Sequence, residues 1–338
     1  MQDISHLESL LSEPPGYVVV SLGKLEGDTI VLGAGGKMGP SLATMAKRAS
    51  DMAGRRRRVI GVSRFSSGEE EAKLNAAGVE TVRCDLLDPN QLAELPEVPN
   101  VAFMVGVKFG TSEQQARTWA ANCYLPGAVC HKFRASRIVA FSTGNVYSMV
   151  PVETGGSVET DSPGPTGEYA MSALGRERVF EYFSDALGIP TAIIRLNYAC
   201  EPRYGVLVDI ARRVFEGEPV DLSMGYFNII WQGDANAMSL AAFDHVSSPP
   251  FILNVAGPEI LSVRSCAERF GELMAKEPIF TGTEAPDAFL SNAGKAFRLF
   301  GKPSVNAEQL ISWIADWTTR GGKTLGKPTH FEARDGKY

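Results

Sequence analysis

The sequence TIVLGAGGKMG, residues 29–39, joins a short apolar segment to a glycine-rich loop. Residues 29–32 predict a buried β-strand, and residues 40–48 after the loop predict a helix. The glycines of such a loop allow a tight turn and a close approach of the backbone to a pyrophosphate, which would face the amino end of the helix. We therefore predict a dinucleotide site here; the alternative is a plain glycine-rich turn.

The end of the second predicted strand, residues 59–63, bears on which dinucleotide binds. Ser63 can donate a hydrogen bond there, and Arg64 can pair with a 2′-phosphate and stack on adenine. An acid at this point would instead bind the ribose hydroxyls of NAD. We predict NADP as the cofactor and keep NAD as the alternative; an ordinary exposed arginine is the other interpretation of Arg64.

Short apolar segments and amphipathic segments alternate along residues 29–195. Such alternation, with strands that are apolar on both faces, predicts an α/β fold with a Rossmann-type, doubly wound parallel sheet. After residue 197 the pattern loosens, which predicts a smaller, mostly helical C-terminal substrate lobe. Further strands are predicted at residues 17–20, 80–83, 101–105, 137–141 and 191–195, and further helices at residues 4–11, 112–134, 169–187, 206–215, 262–274 and 307–318.

The same patterns predict how the chain divides into domains. The C-terminal residues are polar and glycine-rich, so we expect a loosely docked tail there. The predicted parts are an N-terminal extension (residues 1–28), a dinucleotide-binding domain (29–198, with 226–256 returning to it), a substrate lobe (199–225 and 257–320) and a polar tail (321–338).

Charge and composition argue against several classes of function. The formal net charge is −6 and charged residues make up 21% of the chain, so we expect no nucleic-acid partner. No apolar run is long enough to span a bilayer, and the polar N-terminus does not resemble a signal peptide. The five cysteines and four histidines are scattered without metal-ligand spacing. We therefore expect no metal site, no membrane contact, and a cytoplasmic protein with reduced thiols.

Several further segments are informative as an ordered set. Asp85-Leu86 follows the third predicted strand and could flank an adenine, although Asp85 could instead cap a helix that begins near Pro89. FSTGNVY at residues 141–147 and then Tyr169 follow. With the glycine loop, these segments resemble the extended short-chain dehydrogenase/reductase family, also called the NAD-dependent epimerase/dehydratase family. The resemblance covers roughly residues 29–318, and its other matches are Asn122, Glu177, residues 195–198, residues 201–203, Asp234 and residues 291–295.

The resemblance implies a proton-relay site. Thr143 would hold the reacting oxygen of the substrate, and Tyr169 would pass a proton to or from it while hydride moves to or from the nicotinamide. Asn122 matches an asparagine of the family's long fourth helix. The family's lysine binds the nicotinamide ribose and lowers the pKa of the tyrosine; this chain has Ala173 at that position.

A cation from elsewhere would have to replace that lysine, because an ordinary tyrosine has a pKa of about 10. We prefer Lys108, which follows the fourth predicted strand. Arg176 lies a helical turn beyond Ala173, but we expect it to pair with an acid on the helix surface. Lys108 as an ordinary exposed lysine remains the alternative. The candidate catalytic residues are Tyr169, Thr143, Lys108 and Asn122.

Residues 224–232, MGYFNIIWQ, correspond to the stretch in which nucleotide-sugar enzymes of the family carry an arginine that clamps the substrate's pyrophosphate. Neither arginine nor lysine occurs in this stretch, which favours a smaller, unactivated, sugar-like substrate. Trp231 could face a sugar ring, or it could lie in the core. The predicted substrate-binding residues are Thr143, Asn145, Asn197, Arg203 and Trp231, and the predicted cofactor-binding residues are Gly33, Gly36, Lys37, Met38, Gly39, Ser63, Arg64, Asp85, Leu86 and Tyr169.

These features predict an NAD(P)-dependent oxidoreductase, epimerase or dehydratase that acts on a hydroxyl or keto group of a sugar-like small molecule. The alternative is a catalytically degenerate protein that binds the dinucleotide as a sensor or regulator, which Ala173 supports. We also expect a homodimer. In the family, the helices that correspond to those beginning at Ser112 and Tyr169 commonly form a four-helix bundle across a twofold axis.

Overall fold

A central parallel sheet and the helices that cover it organise the protein. The computed structural model describes residues 1–66, 68–108, 110 and 113–337. The α-helices are α1 (Ile4–Leu11), α2 (Gly16–Lys24), α3 (Gly39–Met52), α4 (Gly68–Ala76), α5 (Pro89–Glu94), α6 (Gln115–Trp119), α7 (Leu125–Lys132), α8 (Gly167–Leu187), α9 (Val206–Glu216), α10 (Gln232–Ala241), α11 (Val263–Met274), α12 (Gly294–Phe300) and α13 (Ala307–Thr319). The strands are β1 (Thr29–Leu32), β2 (Val59–Ser63), β3 (Glu80–Arg83), β4 (Asn100–Phe103), β5 (Arg137–Thr143), β6 (Val150–Pro151), β7 (Thr191–Leu196), β8 (Ala199–Cys200), β9 (Pro219–Asp221), β10 (Tyr226–Phe227), β11 (Ile230–Trp231), β12 (Phe251–Val255), β13 (Leu261–Ser262), β14 (Ile279–Thr281) and β15 (Asp287–Ala288).

Within the described residues, seven strands form the central sheet in the order β12-β7-β5-β4-β1-β2-β3. Every neighbouring pair is parallel. The chain first moves outward from β1 to β3 and then returns past β1 to begin the other half with β4. Ligands of such sheets bind at this switch point, outside the carboxyl ends of the strands. The Rossmann-type, doubly wound sheet that the sequence predicts is therefore confirmed.

Alternate residues of the strands face two hydrophobic clusters, one on each side of the sheet. In β1, Val31 faces the cluster that includes α2, α3 and α10, whereas Ile30 and Leu32 face the cluster that includes α5, α7 and α8. Because both faces are covered, the inner strands are apolar along their whole length. A third cluster joins α9, α11 and α13 into a smaller lobe.

Residues 17–20 form part of helix α2, so the strand predicted there is wrong. Valines favour strands in general, but packing overrides this preference. The helix begins directly after Pro15, and its buried residues Val18, Ser21 and Leu22 recur at helical spacing. This buried stripe packs into the cluster that α3 and α10 share.

The long helix predicted at residues 112–134 is helical but irregular. Its predicted start, Ser112, lies outside the described residues. A π-helical turn at Ala120–Tyr124 separates α6 from α7. The cause is local: Pro126 has no N–H to donate to the carbonyl of Asn122 one turn earlier. Such turns are frequent at functional sites, and this one carries the side chain of Asn122.

The C-terminal tail, residues 321–337, is firmly docked, so the expected loose docking is wrong. Phe331 is buried, and its ring centroid lies 6.2 Å from that of Phe227 in the smaller lobe. Arg334 forms an ion pair with Asp287. The buried ring of Phe331 and the ion pair of Arg334 hold this otherwise polar tail against the smaller lobe.

Among the described residues, no helix combines the length and the apolar character that crossing a membrane requires. In the same residues, no group of three or more His, Cys, Asp or Glu side chains could hold a metal ion. All five cysteines are free thiols. Burial raises the pKa of the Cys130, Cys200 and Cys266 thiols to about 12.

Candidate active site

The glycine loop between β1 and α3 needs glycine at both of its ends. Gly33 has a φ of +95°, and a Cβ atom there would lie 3.2 Å from the carbonyl carbon of Met104. A Cβ atom on Gly39 would lie 2.6 Å from the carbonyl oxygen of Ala34, so a side chain there would push the helix away from the loop. The loop is thus a tight turn that brings the amino end of α3 against the end of β1.

The amino end of α3 is open to an anionic ligand. Its N-cap residue is Met38, which makes no side-chain capping bond, and the first amides of a helix have no partner within the helix. The amide of Gly36 donates to the carbonyl of Gly33 (3.0 Å), which closes the turn. This arrangement fits the pyrophosphate of a dinucleotide, which Gly33, Gly36, Met38 and Gly39 would hold through their backbone.

The ends of β2 and β3 carry the residues predicted to bind the adenosine half. Ser63 lies beside the loop, since a Cβ atom on Gly35 would come 2.6 Å from its Oγ. The side chain of Arg64 is exposed, and it forms no ion pair within the described part of the chain. Both residues are therefore free to meet a phosphate-bearing ribose.

Asp85 and Leu86 lie in the turn after β3. Oδ1 of Asp85 accepts a hydrogen bond from the amide of Leu87 (3.1 Å), and Leu86 is buried. The alternative that Asp85 caps a helix is wrong, because the N-cap of α5 is Asp88, whose side chain accepts bonds from two amides of the first turn. The contact of Asp85 and Leu86 with adenine stays a prediction.

A cavity of about 120 Å³ lies at the carboxyl ends of β5 and β7. The first residues of α8 and α9 and the docked tail complete its walls. The residues from the predicted site that line it come from four separate parts of the chain. They are Lys37, Lys108, Thr143, Asn145 and Tyr169.

Thr143 ends β5 and turns its hydroxyl toward Asn145. Its Oγ1 donates to Oδ1 of Asn145 (3.1 Å) and accepts from the amide of the same residue (3.2 Å). Both side chains are almost fully buried. The pair thus forms a fixed polar wall of the cavity.

Lys108 lies next to Tyr169. Its Nζ is 5.8 Å from the centroid of the tyrosine ring and donates to the carbonyl oxygen of Thr329 (3.2 Å). Burial lowers the pKa of Lys108 to about 8, against the opposing effect of the Asp209 and Glu332 carboxylates. A cation from the loop after β4 therefore stands beside the tyrosine, as a substitute for the family's lysine would require.

Ala173, at the position of the family's lysine, is fully buried. It packs with Val146 and Tyr147 in a small hydrophobic cluster, against which Leu174 also lies. The lysine position is therefore filled by apolar packing, and a cation beside Tyr169 must come from another position in the chain.

Arg176 is buried on the inner side of α8, so the expectation of a surface ion pair is wrong. Nη1 donates to the carbonyl of Phe141 (2.8 Å), and Nη2 donates to Oδ1 of Asn122 (2.6 Å). A Cβ atom on Gly106 would come 2.7 Å from Nη2, so glycine there makes room for the guanidinium. Burial lowers the pKa of Arg176, and the neighbouring Tyr169 opposes this effect.

Asn122 supports the loop that carries Lys108 and is not among the residues that line the cavity. Its side-chain amide pairs with both the N–H (3.0 Å) and the C=O (3.1 Å) of Val107, the residue before Lys108. Its Nδ2 also donates to Oγ of Ser172 on α8 (2.9 Å). Asn122 thus fixes the backbone from which the Lys108 side chain extends.

The amine of Lys37 points into the cavity, which the sequence pattern did not indicate. Nζ lies 3.7 Å from the centroid of the Tyr204 ring and donates to the carbonyl of Ala199 (3.4 Å). Burial lowers the pKa of Lys37 to about 7; Cys200 and Glu201 oppose the shift, and Lys108 adds to it. The backbone of Lys37 is part of the glycine loop, whereas its side-chain amine lines the cavity.

Arg203 serves a structural purpose in this arrangement. Its Nε donates to Oε1 of Glu201 (2.9 Å), and its Nη1 lies 3.3 Å from Oε1 of Glu8 on α1. These ion pairs tie the N-terminal helix to the loop after β8. Arg203 is not among the residues that line the cavity.

Asn197 and Trp231 also lie outside the cavity wall. Nδ2 of Asn197 donates to Oδ1 of Asn228 (2.6 Å). Trp231 is buried, and its ring meets that of Trp313 edge-on, with 5.5 Å between the centroids. The tryptophan therefore occupies the core, which the sequence left as the alternative.

A buried ion pair supports the floor of the site. Nη2 of Arg195 on β7 lies 2.7 Å from Oε2 of Glu177 on α8. Oγ of Ser142, which lines the cavity, donates to Oε1 of the same glutamate (2.5 Å). Because all three groups are buried and mutually bonded, they lock β5, β7 and α8 together beneath Thr143.

The glycine loop at the switch point, with Thr143 and Tyr169 in the wall of one cavity, defines a protein of the extended short-chain dehydrogenase/reductase class. Residues 29–234 match the model of the NAD dependent epimerase/dehydratase family. The chain belongs to this family. No curated protein is similar enough to this chain to count as a match.

Solved structures with the same fold include a UDP-glucose 4-epimerase from Thermotoga maritima, with a TM-score of 0.71, 18% identity, and coverage of 87% of this chain and 99% of that one. A UDP-glucose 4-epimerase from Thermus thermophilus in complex with NAD gives a TM-score of 0.71, 21% identity and coverage of 87% and 99%. A UDP-glucuronic acid 4-epimerase from Bacillus cereus, in complex with UDP-glucuronic acid and NAD, gives a TM-score of 0.71 and 15% identity, with coverage of 87% of this chain and 99% of that one.

All three of these relatives are named for nucleotide sugars, which conflicts with the expectation of an unactivated substrate. At identities of 15–21%, however, the similarity shows the fold alone. The choice between the two substrate classes depends on the residues of this chain.

Proposed function

We propose that the protein is an NAD(P)-dependent oxidoreductase, epimerase or dehydratase that acts on a hydroxyl or keto group of a sugar-like small molecule. The observation that carries this proposal is the convergence of Thr143, Tyr169 and Lys108 on one cavity. That cavity lies at the carboxyl edge of the sheet, and Lys37 and Lys108 reach it from the loops after β1 and β4, the two strands of the switch point. Three residues from separate parts of the chain supply a hydroxyl, a phenol and an amine.

Each of these residues has a distinct task in the proposed reaction. The hydroxyl of Thr143 exchanges its hydrogen bond to Asn145 for one to the oxygen of the substrate's alcohol or ketone, and so orients that oxygen. Tyr169 takes the proton from that alcohol during oxidation and returns it during reduction. The ammonium group of Lys108 favours the anionic form of the phenol as the proton leaves. When bound, the nicotinamide of the dinucleotide supplies the hydride acceptor or donor.

For the cofactor, the geometry at the end of β2 supports NADP. The Arg64 guanidinium is exposed and no acid ends the strand, so a 2′-phosphate would find a cation there. NAD is the second candidate, favoured by the NAD complexes of two similar structures.

For the substrate, the cavity supports a small, unactivated molecule. Its volume of about 120 Å³ is below the roughly 300–1,000 Å³ typical of pockets for larger ligands. Thr329 of the docked tail forms part of the wall, and residues 224–232 offer no cation to a pyrophosphate. A nucleotide sugar is the second candidate, favoured by the similarity to UDP-sugar epimerases.

The test is a screen of sugars, polyols, sugar acids and UDP-sugars with NADP and with NAD. Nicotinamide absorbance reports net oxidation, and NMR of the sugar reports epimerisation or dehydration in which the cofactor is recycled. Tyr169→Phe should abolish turnover and leave dinucleotide affinity unchanged. Full activity of Tyr169→Phe on the true substrate would rule out the proton relay.

A non-catalytic sensor is the second class of function, and the apolar packing of Ala173 favours it. This alternative predicts dinucleotide binding that Arg64→Ala weakens, without conversion of any compound in the screen. Conversion of one compound that depends on Tyr169 excludes it.

We also propose a homodimer in which α7 and α8 of two copies pack together. Large apolar side chains are exposed on this side: Tyr124 just before α7, and Met171 and Tyr182 on α8. Burying them against a second copy would remove apolar surface from water. Light scattering that finds only the monomer mass at micromolar concentration would refute this arrangement.

A further inference from the structure

The C-terminal tail reaches the active site at Thr329. This residue is buried, and it lines the cavity together with Lys108 and Tyr169. Its carbonyl oxygen accepts a hydrogen bond from Nζ of Lys108 (3.2 Å). The segment that follows α13, the last helix of the smaller lobe, therefore contributes a wall of the cavity and an acceptor for the amine beside the tyrosine.

Thr329 is held in place by the smaller lobe. Oδ2 of Asp209 on α9 accepts hydrogen bonds from the amide (2.8 Å) and the hydroxyl (2.6 Å) of this threonine. Hydrogen bonds to a carboxylate are stronger than those between neutral groups, and here backbone and side chain are bonded at once. The carbonyl oxygen that Lys108 contacts therefore has a defined position.

Residues 329–336, here called the strap, have a further contact with the lobe besides the buried ring and the ion pair described above. Nη2 of Arg213 on α9 lies 3.1 Å from Oε1 of Glu332. By contrast, residues 325–328, which precede the strap, are all exposed. The strap is therefore joined to the rest of the tail by an exposed segment and is docked through its own contacts.

The far end of the strap meets the start of α8. Gly336 is buried, and a Cβ atom there would collide with the carbonyl oxygen of Thr166, the N-cap residue of α8. A Cβ atom on Gly167 would likewise collide with the carbonyl oxygen of Gly336. The strap thus connects α9 of the smaller lobe with the first turn of the helix that carries Tyr169.

We propose that the strap completes the active site: through the carbonyl of Thr329 it positions the Lys108 amine beside Tyr169, and it closes the cavity to water. This inference rests on the proposed function, to which it adds a positioning residue. A cation stabilises a phenolate more strongly where water is excluded, because the local dielectric constant is lower. The site is therefore fully active only while the strap is docked.

The surroundings of the Lys108 amine give the strap a measurable effect. Burial lowers the pKa of Lys108 to about 8, and the carboxylates of Asp209 and Glu332 oppose the shift. The amine also lies over the ring of Tyr169 and interacts with the amine of Lys37. Removing the strap exposes the amine and takes away Glu332, the weaker of the two carboxylate effects. Because burial is the largest effect, the pKa of Lys108 should rise toward its ordinary value of about 10.4.

The experiment compares the wild-type protein with a protein that ends at Lys327 and therefore lacks the strap. NMR of protein isotope-labelled at the ε-carbon of lysine follows the titration of each amine, and the spectrum of Lys108→Met identifies the signal of Lys108. Without the strap, we expect this signal to titrate at least about one pH unit higher, since burial shifts pKa values by up to roughly 3–5 units.

Kinetics with a substrate from the screen provide the second measurement. In the protein without the strap, kcat should fall at least about tenfold, because acid–base catalysis contributes roughly 10²–10⁴-fold. The alkaline decline of the pH–rate profile should move to higher pH together with the titration of Lys108. A loss of folded protein alone would lower the rate but would not move this decline.

Lys295 is a matched control within the same spectra. Its Nζ donates to the carbonyl of Ile252 (2.7 Å) and lies 3.8 Å from the centroid of the Phe251 ring. Burial lowers the pKa of Lys295 too. It thus has the same kinds of partner as Lys108, but they belong to β12, at the edge of the sheet. Its titration should be the same with and without the strap.

Phe331→Ala tests the strap without shortening the chain. Loss of the buried ring should loosen the strap, so the Lys108 signal should titrate higher than in wild type, by less than in the shortened protein. Phe331→Leu keeps an apolar side chain at this position and should restore most of the wild-type behaviour. Leu325→Ala, in the exposed segment before the strap, should titrate as wild type.

Three results would overturn the role of the strap. The first is a titration of Lys108 that is the same with and without the strap, and the second is a shortened protein that keeps the wild-type kcat and pH–rate profile. The third is a Thr329 amide that exchanges with solvent deuterium as fast as the amides of residues 326–327 in wild-type protein. It needs no variant, so the proposal stays testable even if the shortened protein fails to fold.

The same measurements separate the strap from the proposed reaction. A Lys108 titration that shifts as expected, in a protein that converts no compound of the screen, would sustain the strap's contact with Lys108 and refute the reaction. Conversion that depends on Tyr169 but is unaffected by removal of the strap would sustain the reaction and refute the positioning role.

Discussion

Asn122 accepts a hydrogen bond from the buried guanidinium of Arg176, with 2.6 Å between Oδ1 and Nη2. The same side-chain amide pairs with the backbone of Val107. The side chain of Asn122 therefore ties helix α8, which carries Tyr169, to the loop that carries Lys108. In the proposed reaction Asn122 would therefore act through Lys108, as a positioning residue.

Replacing Asn122 by alanine should lower both stability and activity. The free energy of unfolding should fall by about 1–3 kcal/mol, because the Arg176 guanidinium loses a buried partner. The loop at residue 107 would also lose its anchor, so kcat should fall while dinucleotide affinity is kept. Urea unfolding and steady-state kinetics measure these effects. Asn90→Ala, at an exposed position, is the control. An Asn122→Ala protein with the same free energy of unfolding and the same kcat as this control would contradict the positioning role.

The cation at position 108 should set an alkaline limit on activity. Burial lowers the pKa of Lys108 to about 8, with the Asp209 and Glu332 carboxylates opposing the shift. A lysine is charged below its pKa, so a step that needs this cation slows as pH rises through about 8. Lys108→Met should lower kcat and remove that alkaline decline from the pH–rate profile. Lys295→Met should keep the wild-type profile, and a Lys108→Met profile of unchanged shape and height would eliminate Lys108 as the cation.

Selectivity for the cofactor should follow Arg64. Arg64→Ala should weaken NADP binding by about 1.5–3 kcal/mol, the range for a lost charge-assisted bond, and should change NAD binding little. Calorimetric titration with both dinucleotides measures the difference. Arg56→Ala, another exposed arginine, should alter neither affinity. Wild-type protein that binds the two dinucleotides equally well would refute the assignment of the 2′-phosphate to Arg64.

Local patterns account for the parts of the site that the sequence predicts. The strand, glycine loop and helix over residues 29–52 follow from periodicity and from the turn that glycine permits, so β1 and α3 occur where they are predicted. Thr143 and Tyr169 lie together in the cavity because the parallel sheet brings the end of β5 and the start of α8 to one edge.

The parts that the sequence does not predict depend on distant partners. Arg176 is a charged residue on a long helix, and its hydrogen bonds to Asn122 and to the carbonyl of Phe141 explain its burial. The amine of Lys37 turns toward Tyr204, and the docked tail supplies Thr329 to the cavity. Periodicity within one segment carries no information about contacts of this kind.

The amine of Lys37 should reduce stability at neutral pH. Burial lowers its pKa to about 7 in the folded protein, with Lys108 adding to the shift and Cys200 and Glu201 opposing it; in the unfolded chain a lysine titrates near about 10.4. Between these values the unfolded state binds more protons, so the free energy of unfolding rises with pH. Lys37→Met should raise stability at neutral pH and flatten that rise, whereas Lys24→Met, at an exposed position, should not. Urea unfolding of the wild-type, Lys37→Met and Lys24→Met proteins at neutral and alkaline pH measures these effects. An equal rise of the free energy of unfolding with pH in all three proteins would count against a buried amine.

Restoring the family's lysine should damage the protein rather than reactivate it. Ala173 is fully buried and packs with Val146 and Tyr147, so the longer side chain of Ala173→Lys has no space and would bring a charge into an apolar cluster. Overpacking alone costs about 1–3 kcal/mol, and an unpaired buried charge costs more. We expect a lower unfolding midpoint and lower kcat, whereas Asp185→Lys, exposed on the same helix, should fold as wild type. A stable Ala173→Lys protein with increased dehydrogenase activity would show instead that the site still accepts the family's lysine and that Lys108 is not its replacement.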